Sequence, residues 1–241
     1  MMGEFSGKRV LVTGSGKGIG RGIARSFAEA GADLILHFRS NPDEAESLRK
    51  ELSGFGGKIH VCRADLGTEE GINGLFACVE ELFGGLDVAI NNAGWDPGYV
   101  PLESVDFEFY RKLTDMNIKG TLFCCLNEIR LMRKSGSGGS IINIGSVQME
   151  TTVPGRTLYA MSKGAIHSMT GELALEVGPE GIRVNCIAPG YIEVDRMCGA
   201  PGFNREEIAS GIPVRRLGIP RDIGECALFL ASEKASFVNG Q

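Results

Sequence analysis

The chain is short of several things. No apolar run approaches the ~20 residues that span a bilayer, and Met1-Met-Gly-Glu-Phe5 lacks the apolar core of a secretory leader, so no membrane partner is expected. Lys and Arg nowhere cluster and the net charge is -5, which removes the electrostatic basis for holding a nucleic acid backbone. Only three histidines occur, His37, His60 and His167, and no two are spaced as metal ligands, so all three are expected to be structural and no metal site is predicted. The seven cysteines (62, 78, 124, 125, 186, 198 and 226) form an odd set without a CxxC pair. They are expected to be small buried hydrophobes in a reduced, cytoplasmic compartment. There are no internal repeats, low-complexity tracts or linker-like stretches, so the 241 residues are expected to form one domain.

What is present is a regular alternation. Short β-branched runs at 8–13, 33–38, 58–62, 86–90, 140–144 and 182–187 read as strands. Helical patterns at 21–30, 42–55, 68–83, 107–132, 158–177 and 221–231 separate or follow them, with Thr68 as an N-cap. Strands apolar on both sides, alternating with helices, require a parallel sheet covered on both faces, which predicts a doubly wound, three-layer α/β fold of Rossmann type. Residues 191–217, with Gly199, Pro201, Gly202, Gly211 and Pro213, break the rhythm and read as a mobile segment over the site.

Two constellations carry chemistry. Thr13-Gly-Ser-Gly-Lys-Gly-Ile-Gly20 lies directly between a strand and a helix, the context in which glycines let backbone N–H groups and a helix N-terminus approach a pyrophosphate. Tyr159 and Lys163 lie one helical turn apart with Ser146 upstream. A free phenol titrates near ~10, and a nearby ammonium favours the phenolate and so moves the group toward physiological pH, where acid–base catalysis is most effective.

The glycine turn, Asn91-Asn-Ala-Gly94, Asn117, Ser146, Tyr159-Ala-Met-Ser-Lys163 and Pro189-Gly190 together resemble the short-chain dehydrogenase/reductase family, in order and spacing along almost the whole chain. The resemblance implies hydride exchange between a nicotinamide and a carbonyl or secondary alcohol. Tyr159 would be the acid/base, Ser146 the donor to the substrate oxygen, Lys163 the tuner of the phenol and holder of the nicotinamide ribose, and Asn117 the anchor of a water. It carries cofactor contacts to Gly14, Ser15, Lys17, Gly18, Ile19, Gly20, Arg39, Asp65, Leu66, Asn91, Ala93, Gly94, Tyr159, Lys163, Pro189, Gly190 and Ile192. Asn91 and Gly94 would lie near the adenine-side ribose, and Asp65 would either touch the adenine or serve only in a turn.

Phe38 stands where the family's NAD enzymes usually carry an acid, Arg39 follows it, and Lys17 sits in the glycine turn. Two cations without a carboxylate suit a 2′-phosphate, so NADP(H) is expected over NAD(H), which remains possible. Two departures stand out. Val194 occupies a place where relatives commonly carry Thr, and relatives usually continue past Asn239-Gly-Gln241 into a seventh strand, without which an open sheet edge is expected.

The resemblance is strongest to the 3-oxoacyl-(acyl-carrier-protein) reductase branch and extends to sugar dehydrogenases of the glucose type. A carrier-borne substrate calls for cations at the pocket mouth, with Arg130, Arg133, Lys134 and Arg156 as candidates. A sugar calls for polar groups, with Gln148 best placed and Glu150, Asn185 and Glu193 as others. Trp95 would wall the substrate pocket or pack at an interface. An epimerase or lyase would usually be longer, and a non-catalytic NADP(H) sensor would show no turnover. The resemblance also implies a homodimer or homotetramer joined through the two long helices.

Overall fold

A computed structural model describes residues 3–151, 153–198 and 202–241. Six strands form one parallel sheet: β1 (Arg9–Val12), β2 (Asp33–Phe38), β3 (Ile59–Arg63), β4 (Val88–Asn91), β5 (Gly139–Ile144) and β6 (Ile182–Ile187). Their order is β3-β2-β1-β4-β5-β6, so the chain reverses direction across the sheet between β1 and β4. Each strand's alternate residues serve opposite faces. Val10 and Val12 pack with Ile23, Phe27 and Ile223 on one side, whereas Leu11 packs with Phe76, Leu131 and Ile141 on the other. The first side is covered by α1 (Gly18–Glu29), α2 (Pro42–Leu52) and α9 (Pro220–Ala231). The second is covered by α3 (Glu69–Phe83), α5 (Gly120–Ser135) and α6 (Thr157–Val177). This is the three-layer Rossmann-type arrangement that the alternation predicts, and α3 begins at the expected cap, where Thr68 Oγ1 accepts from Gly71 N–H at 3.1 Å.

The long helix expected over 107–132 is interrupted. It starts as α4 (Phe107–Thr114), widens into a π turn at Asp115–Lys119 and resumes as α5. A Cβ on Gly120 would lie 2.6 Å from the Leu66 carbonyl oxygen, so the helix runs against the turn after β3, and the extra residue in the π turn directs Asn117 inward at 1% exposure.

The segment over 191–217 is shaped by two short helices, α7 (Asp195–Cys198) and α8 (Arg205–Gly211), and is tied at its base: Glu193 N–H donates to Gly218 O at 2.8 Å and Gly218 N–H to Tyr191 O at 2.9 Å. Gly199 and Pro201 lie outside the described residues. The edge of β6 is not bare. Gly240 N–H donates to Val184 O, Cys186 N–H to Gln241 O, and Asn185 bonds both Val238 O and Gln241 N–H, so residues 238–241 already line the strand. The cysteine expectation is corrected as well. Cys62 of β3 faces Cys78 of α3 across the layer and forms a disulfide, Cys198 and Cys226 are exposed, and only Cys124 and Cys125 are free and fully buried.

Candidate functional site

The carboxyl ends of β1, β4 and β5 open onto a cleft of about 980 Å³ that runs from the glycine turn to Ser146, Tyr159 and Lys163. It lies where the strand order reverses, the edge at which open α/β sheets take ligands. Gly14 (φ 63°) and Gly18 (φ 54°) hold left-handed backbone, and a Cβ on Gly20 would lie 2.2 Å from the Gly14 carbonyl oxygen. The turn is clamped from β4: Asn92 Nδ2 donates to Thr13 O and Gly14 O, both at 3.0 Å, while Thr13 Oγ1 accepts from the N–H groups of Asn92 and Ala93. From β2, buried His37 accepts the Gly14 N–H at Nδ1 and donates from Nε2 to Ala64 O. Burial brings its pKa down to about 4, so the ring is neutral with its proton on Nε2. The sequence offers no spacing signal for this role. Left-handed Gly14 and Gly18, and Gly20 without room for a Cβ, set at the N-terminus of α1, fit the pyrophosphate of a dinucleotide.

At that end Lys17, Gly18, Ile19, Gly20, Arg39 and Leu66 all line the cleft, together with Ala93, Gly94, Pro189, Gly190 and Ile192 further along. Three expected contacts do not. Ser15 is fully buried and its hydroxyl donates to His37 O at 3.2 Å. Asp65 is exposed, with Oδ1 turned back to the N–H of Gly67. The Asn91 side chain points into the core, where Nδ2 donates to Glu128 Oε2 at 2.9 Å and Asn143 Oδ1 at 3.1 Å. The strand pleat turns Asn92, the other member of the pair, toward the cleft. Glu44 corrects the expectation of a site without a carboxylate. It enters the lining beside Arg39, and its Oε2 lies 3.7 Å from where a Cβ on Gly16 would stand. Val194 lines the cleft against Gly18.

At the other end β5 delivers Ser146, whose Oγ accepts from Gln148 N–H at 3.2 Å. Tyr159 lies in the first turn of α6, and Lys163 follows one turn later with its Nζ 5.7 Å from the phenol ring centre. Lys163 is 6% exposed, and its ammonium donates to Ile144 O at 2.7 Å. Burial lowers its pKa to about 8, while Asp96 works in the opposite direction, so the group is largely protonated at neutral pH. Asn117, expected to anchor a water, has its side chain engaged: Oδ1 accepts from Trp95 N–H at 2.7 Å, and Nδ2 donates to Trp95 O and Ser162 Oγ. It braces the loop after Gly94 against α6. Trp95 lines the cleft, packed on Phe109 with the Lys112 ammonium 4.6 Å from its ring centre.

Arg156, one of the cations expected at the pocket mouth, is already engaged. Its side chain is 13% exposed, pairs with Asp96 at 2.7 Å, donates from Nε to Gln148 Oε1 at 3.0 Å and stacks 4.5 Å from the Tyr159 ring centre. Arg130 and Lys134 both pair with Glu80, and Arg133 pairs with Glu180. These three lie near the C-terminus of α5, where Ser135 meets Arg9 at the start of β1, the sheet edge opposite the cleft. Around Tyr159 the cleft is lined by Asp96, Gln148 and Arg156, of which Asp96 carried no recognisable spacing in the sequence. Among the other polar candidates, Asn185 is fully buried against the tail and Glu193 pairs with Arg205.

A phenol beside a buried ammonium and a serine hydroxyl, open to a cleft with a dinucleotide-shaped far end, has the groups needed to exchange a proton with a substrate oxygen. Known proteins agree with this arrangement. The family model described as Enoyl-(Acyl carrier protein) reductase matches residues 14–241. Glucose 1-dehydrogenase 2 of Bacillus subtilis is 34% identical over 241 residues, spanning 100% of this chain and 93% of its own length. The 3-oxoacyl-[acyl-carrier-protein] reductase FabG of Chlamydia pneumoniae is 34% identical over 235 residues, covering 98% and 94%. A crystal structure of a putative short-chain alcohol dehydrogenase from Sinorhizobium meliloti superposes with a TM-score of 0.91 at 33% identity, covering 100% of this chain and 95% of that one. Sequence and fold thus concur over the whole chain, and the protein is a member of the short-chain dehydrogenase/reductase family, oxidoreductases that act on alcohols and carbonyl compounds.

Proposed function

We propose that the chain interconverts a secondary alcohol and a carbonyl on a small, polar, polyhydroxylated substrate, with NADP(H) preferred over NAD(H). The observation that carries this reading is the continuity of one cleft from the glycine turn to Ser146, Tyr159 and Lys163. A bound dinucleotide supplies or accepts the hydride. Tyr159 gives a proton to the substrate oxygen, or takes one from it, and Ser146 donates a hydrogen bond to the same oxygen. Lys163, fixed on Ile144 O, keeps positive charge next to the phenol. Asn117 holds the Trp95 loop in place. Lys17 and Arg39, both exposed in the lining, meet the 2′-phosphate.

A polar substrate is supported over a carrier-borne acyl chain by the wall of Asp96, Gln148 and Arg156 and by the position of Arg130, Arg133 and Lys134 at the far sheet edge. The acyl-carrier reading, the stronger one from the motifs alone, calls for free cations at the mouth, and Arg156 is already paired. Assembly as a homodimer or homotetramer is supported by exposed Phe107 and Tyr110 on α4 and Phe123 and Leu126 on α5, and light scattering tests it. No helix among the described residues is long and apolar enough to cross a membrane. The decisive experiment is a panel of aldoses, polyols, simple ketones and 3-oxoacyl thioesters, followed by absorbance with NADPH, NADH, NADP+ and NAD+. Turnover on polyhydroxylated substrates is the expected outcome, and activity confined to 3-oxoacyl thioesters would replace this reading with the carrier one.

A further inference from the structure

Two cations flank Tyr159 along α6. Arg156 caps the helix three residues before it and Lys163 follows four residues after, with the guanidinium carbon 4.5 Å and the ammonium 5.7 Å from the ring centre. One carboxylate answers both. Asp96, in the loop after β4, is paired to Arg156 at 2.7 Å, receives the Gly98 N–H at 2.9 Å and also acts on Lys163. We propose that Asp96 and Arg156 form a charge pair that sets the acidity of the Tyr159 phenol in opposite senses, Arg156 favouring the phenolate and Asp96 opposing it, so that both are positioning residues for proton transfer. This rests on the assignment of Tyr159 as the acid/base.

The pair meets the requirements for such a role. Arg156 is held on three sides, by Asp96, by Gln148 and by the Tyr159 ring itself, and its low exposure limits screening by solvent. An arginine in that setting keeps its charge at every accessible pH, so its effect on the phenol is constant across a titration, whereas Lys163, brought down to about 8 by burial, titrates in the same range in every variant. The first turn of α6 adds the positive end of a helix dipole to the same spot. Among the described residues, groups approaching from neighbouring elements include the Lys112 ammonium of α4, which lies over Trp95, the Cys186 thiol of β6, which burial keeps protonated, and Tyr191 and Asp195 beyond β6 in the cleft lining. With Asp96 ionised and Lys163 protonated, these two and Arg156 together carry one net positive charge, and losing either member of the pair changes that charge by one unit in opposite directions. A wall that served only to shape the pocket would have no reason to show this sign reversal.

The test reads the phenol directly and needs no substrate. In the full-length protein, the near-ultraviolet tyrosinate absorbance is titrated against pH for wild type, Arg156→Gln, Asp96→Asn, the double variant and Arg156→Lys. Each curve is taken as the difference from the same protein carrying Tyr159→Phe, so that the other tyrosines cancel. Arg156→Gln should weaken the phenol as an acid by about tenfold, Asp96→Asn should strengthen it by a similar factor, and the double variant should fall between them. Arg156→Lys should recover part of the loss, because charge rather than shape is at issue. Shifts in the same direction, or a shift in neither single variant, would overturn the proposal. Circular dichroism over the same pH range identifies any variant that unfolds. Should Arg156→Gln do so, Asp96→Asn and Arg156→Lys decide, with no strengthening in the former overturning the pair. Turnover is measured separately: if Tyr159→Phe remained active while the opposite shifts were seen, the acid/base assignment would fall and the electrostatic coupling would stand.

Discussion

Asn91 and Asn92 are neighbours in sequence and face opposite sides of the sheet. Asn92 turns to the cleft and ties two turns together through Thr13 and Gly14. Asn91 turns to the core and meets Glu128, Asn143 and Cys125. The same division appears at the end of β5, where Asn143 points inward to Thr170 and Ser146 opens on the cleft. On the cleft side polar groups fix backbone around a space meant for ligands. On the core side they surround a carboxyl with no solvent at all: Glu128 is 0% exposed, and neither its Oε1 nor Asn91 Oδ1 has a partner among the described residues. Burial drives the Glu128 pKa up to about 8, so this carboxyl sits in the core as the neutral acid. Two polar clusters a residue apart thus answer to different demands, chemistry on one side and packing on the other.

The comparison is sharpest if each side can be altered without disturbing the other. Tyr159→Phe should lower turnover by roughly a thousandfold while leaving dinucleotide affinity and thermal stability near wild type. Fluorescence titration with NADPH and a melting curve check the last two, and a large fall in stability would blur the division.

On the core side the effect should be on stability and should depend on pH. Glu128 is raised in the folded state, so its contribution is fully present below the unfolded pKa near 4.5 and is lost as pH rises through about 8. Between pH 5 and pH 8 this amounts to as much as ~4 kcal/mol, and Glu128→Gln, which mimics the neutral acid, should flatten that slope in denaturant unfolding. His37, on the cleft side, has the opposite sign. Its folded pKa of about 4 lies below the usual 6.5, so its contribution is lost as pH falls through that interval. A Glu128→Gln variant that kept the alkaline decline would show that this carboxyl is not its source.

Gly20→Ala attacks the backbone of the cleft rather than its side chains. The added methyl would lie 2.2 Å from Gly14 O and 2.5 Å from Asn92 Nδ2, which should cost about 1–3 kcal/mol and weaken NADPH binding more than tenfold. Gly74→Ala in α3 meets nothing within 4 Å and should instead be neutral or stabilising by up to ~1 kcal/mol. Equal behaviour of the two glycines in melting and binding would remove the close-approach explanation of the turn.

How much of this was legible beforehand follows the same line between backbone and side chain. The strands could be read because both faces of a parallel sheet are buried, and Val10, Leu11 and Val12 leave no polar position to confuse the pattern. The glycine turn and the Tyr159/Lys163 spacing could be read because each is local. The π turn at Asp115–Lys119 could not, since it answers to the Leu66 carbonyl pressing on Gly120 from a distant loop. Nor could the pairing of Cys62 with Cys78, which depends on the packing of α3 on β3, or the seating of Arg156 between Asp96 and Tyr159, which joins a loop after β4 to a helix cap sixty residues later. The tail beside β6 escaped notice because Asn239-Gly-Gln241 has no strand-like pattern, and side-chain bonds from Asn185 and Asn239 do much of the pairing.

The smallest expected effect concerns the far end of the cleft, where the structure adds a complication that charge counting missed. On the proposed function Arg39 and Lys17 favour a 2′-phosphate, and Glu44 in the same lining opposes it. All three belong to an open part of the site, so each contributes modestly and is screened by salt. Arg39→Asp should move the ratio of kcat/KM for NADP(H) over NAD(H) toward NAD(H) by about tenfold, with the shift shrinking as ionic strength rises. Glu44→Gln should move the ratio a few-fold the other way, because it removes the repulsion and leaves both cations. If Arg39→Asp left the ratio where it was, the coenzyme preference would have to come from elsewhere in the lining. A response to Glu44→Gln alone would make the carboxylate, rather than the arginine, the residue that decides.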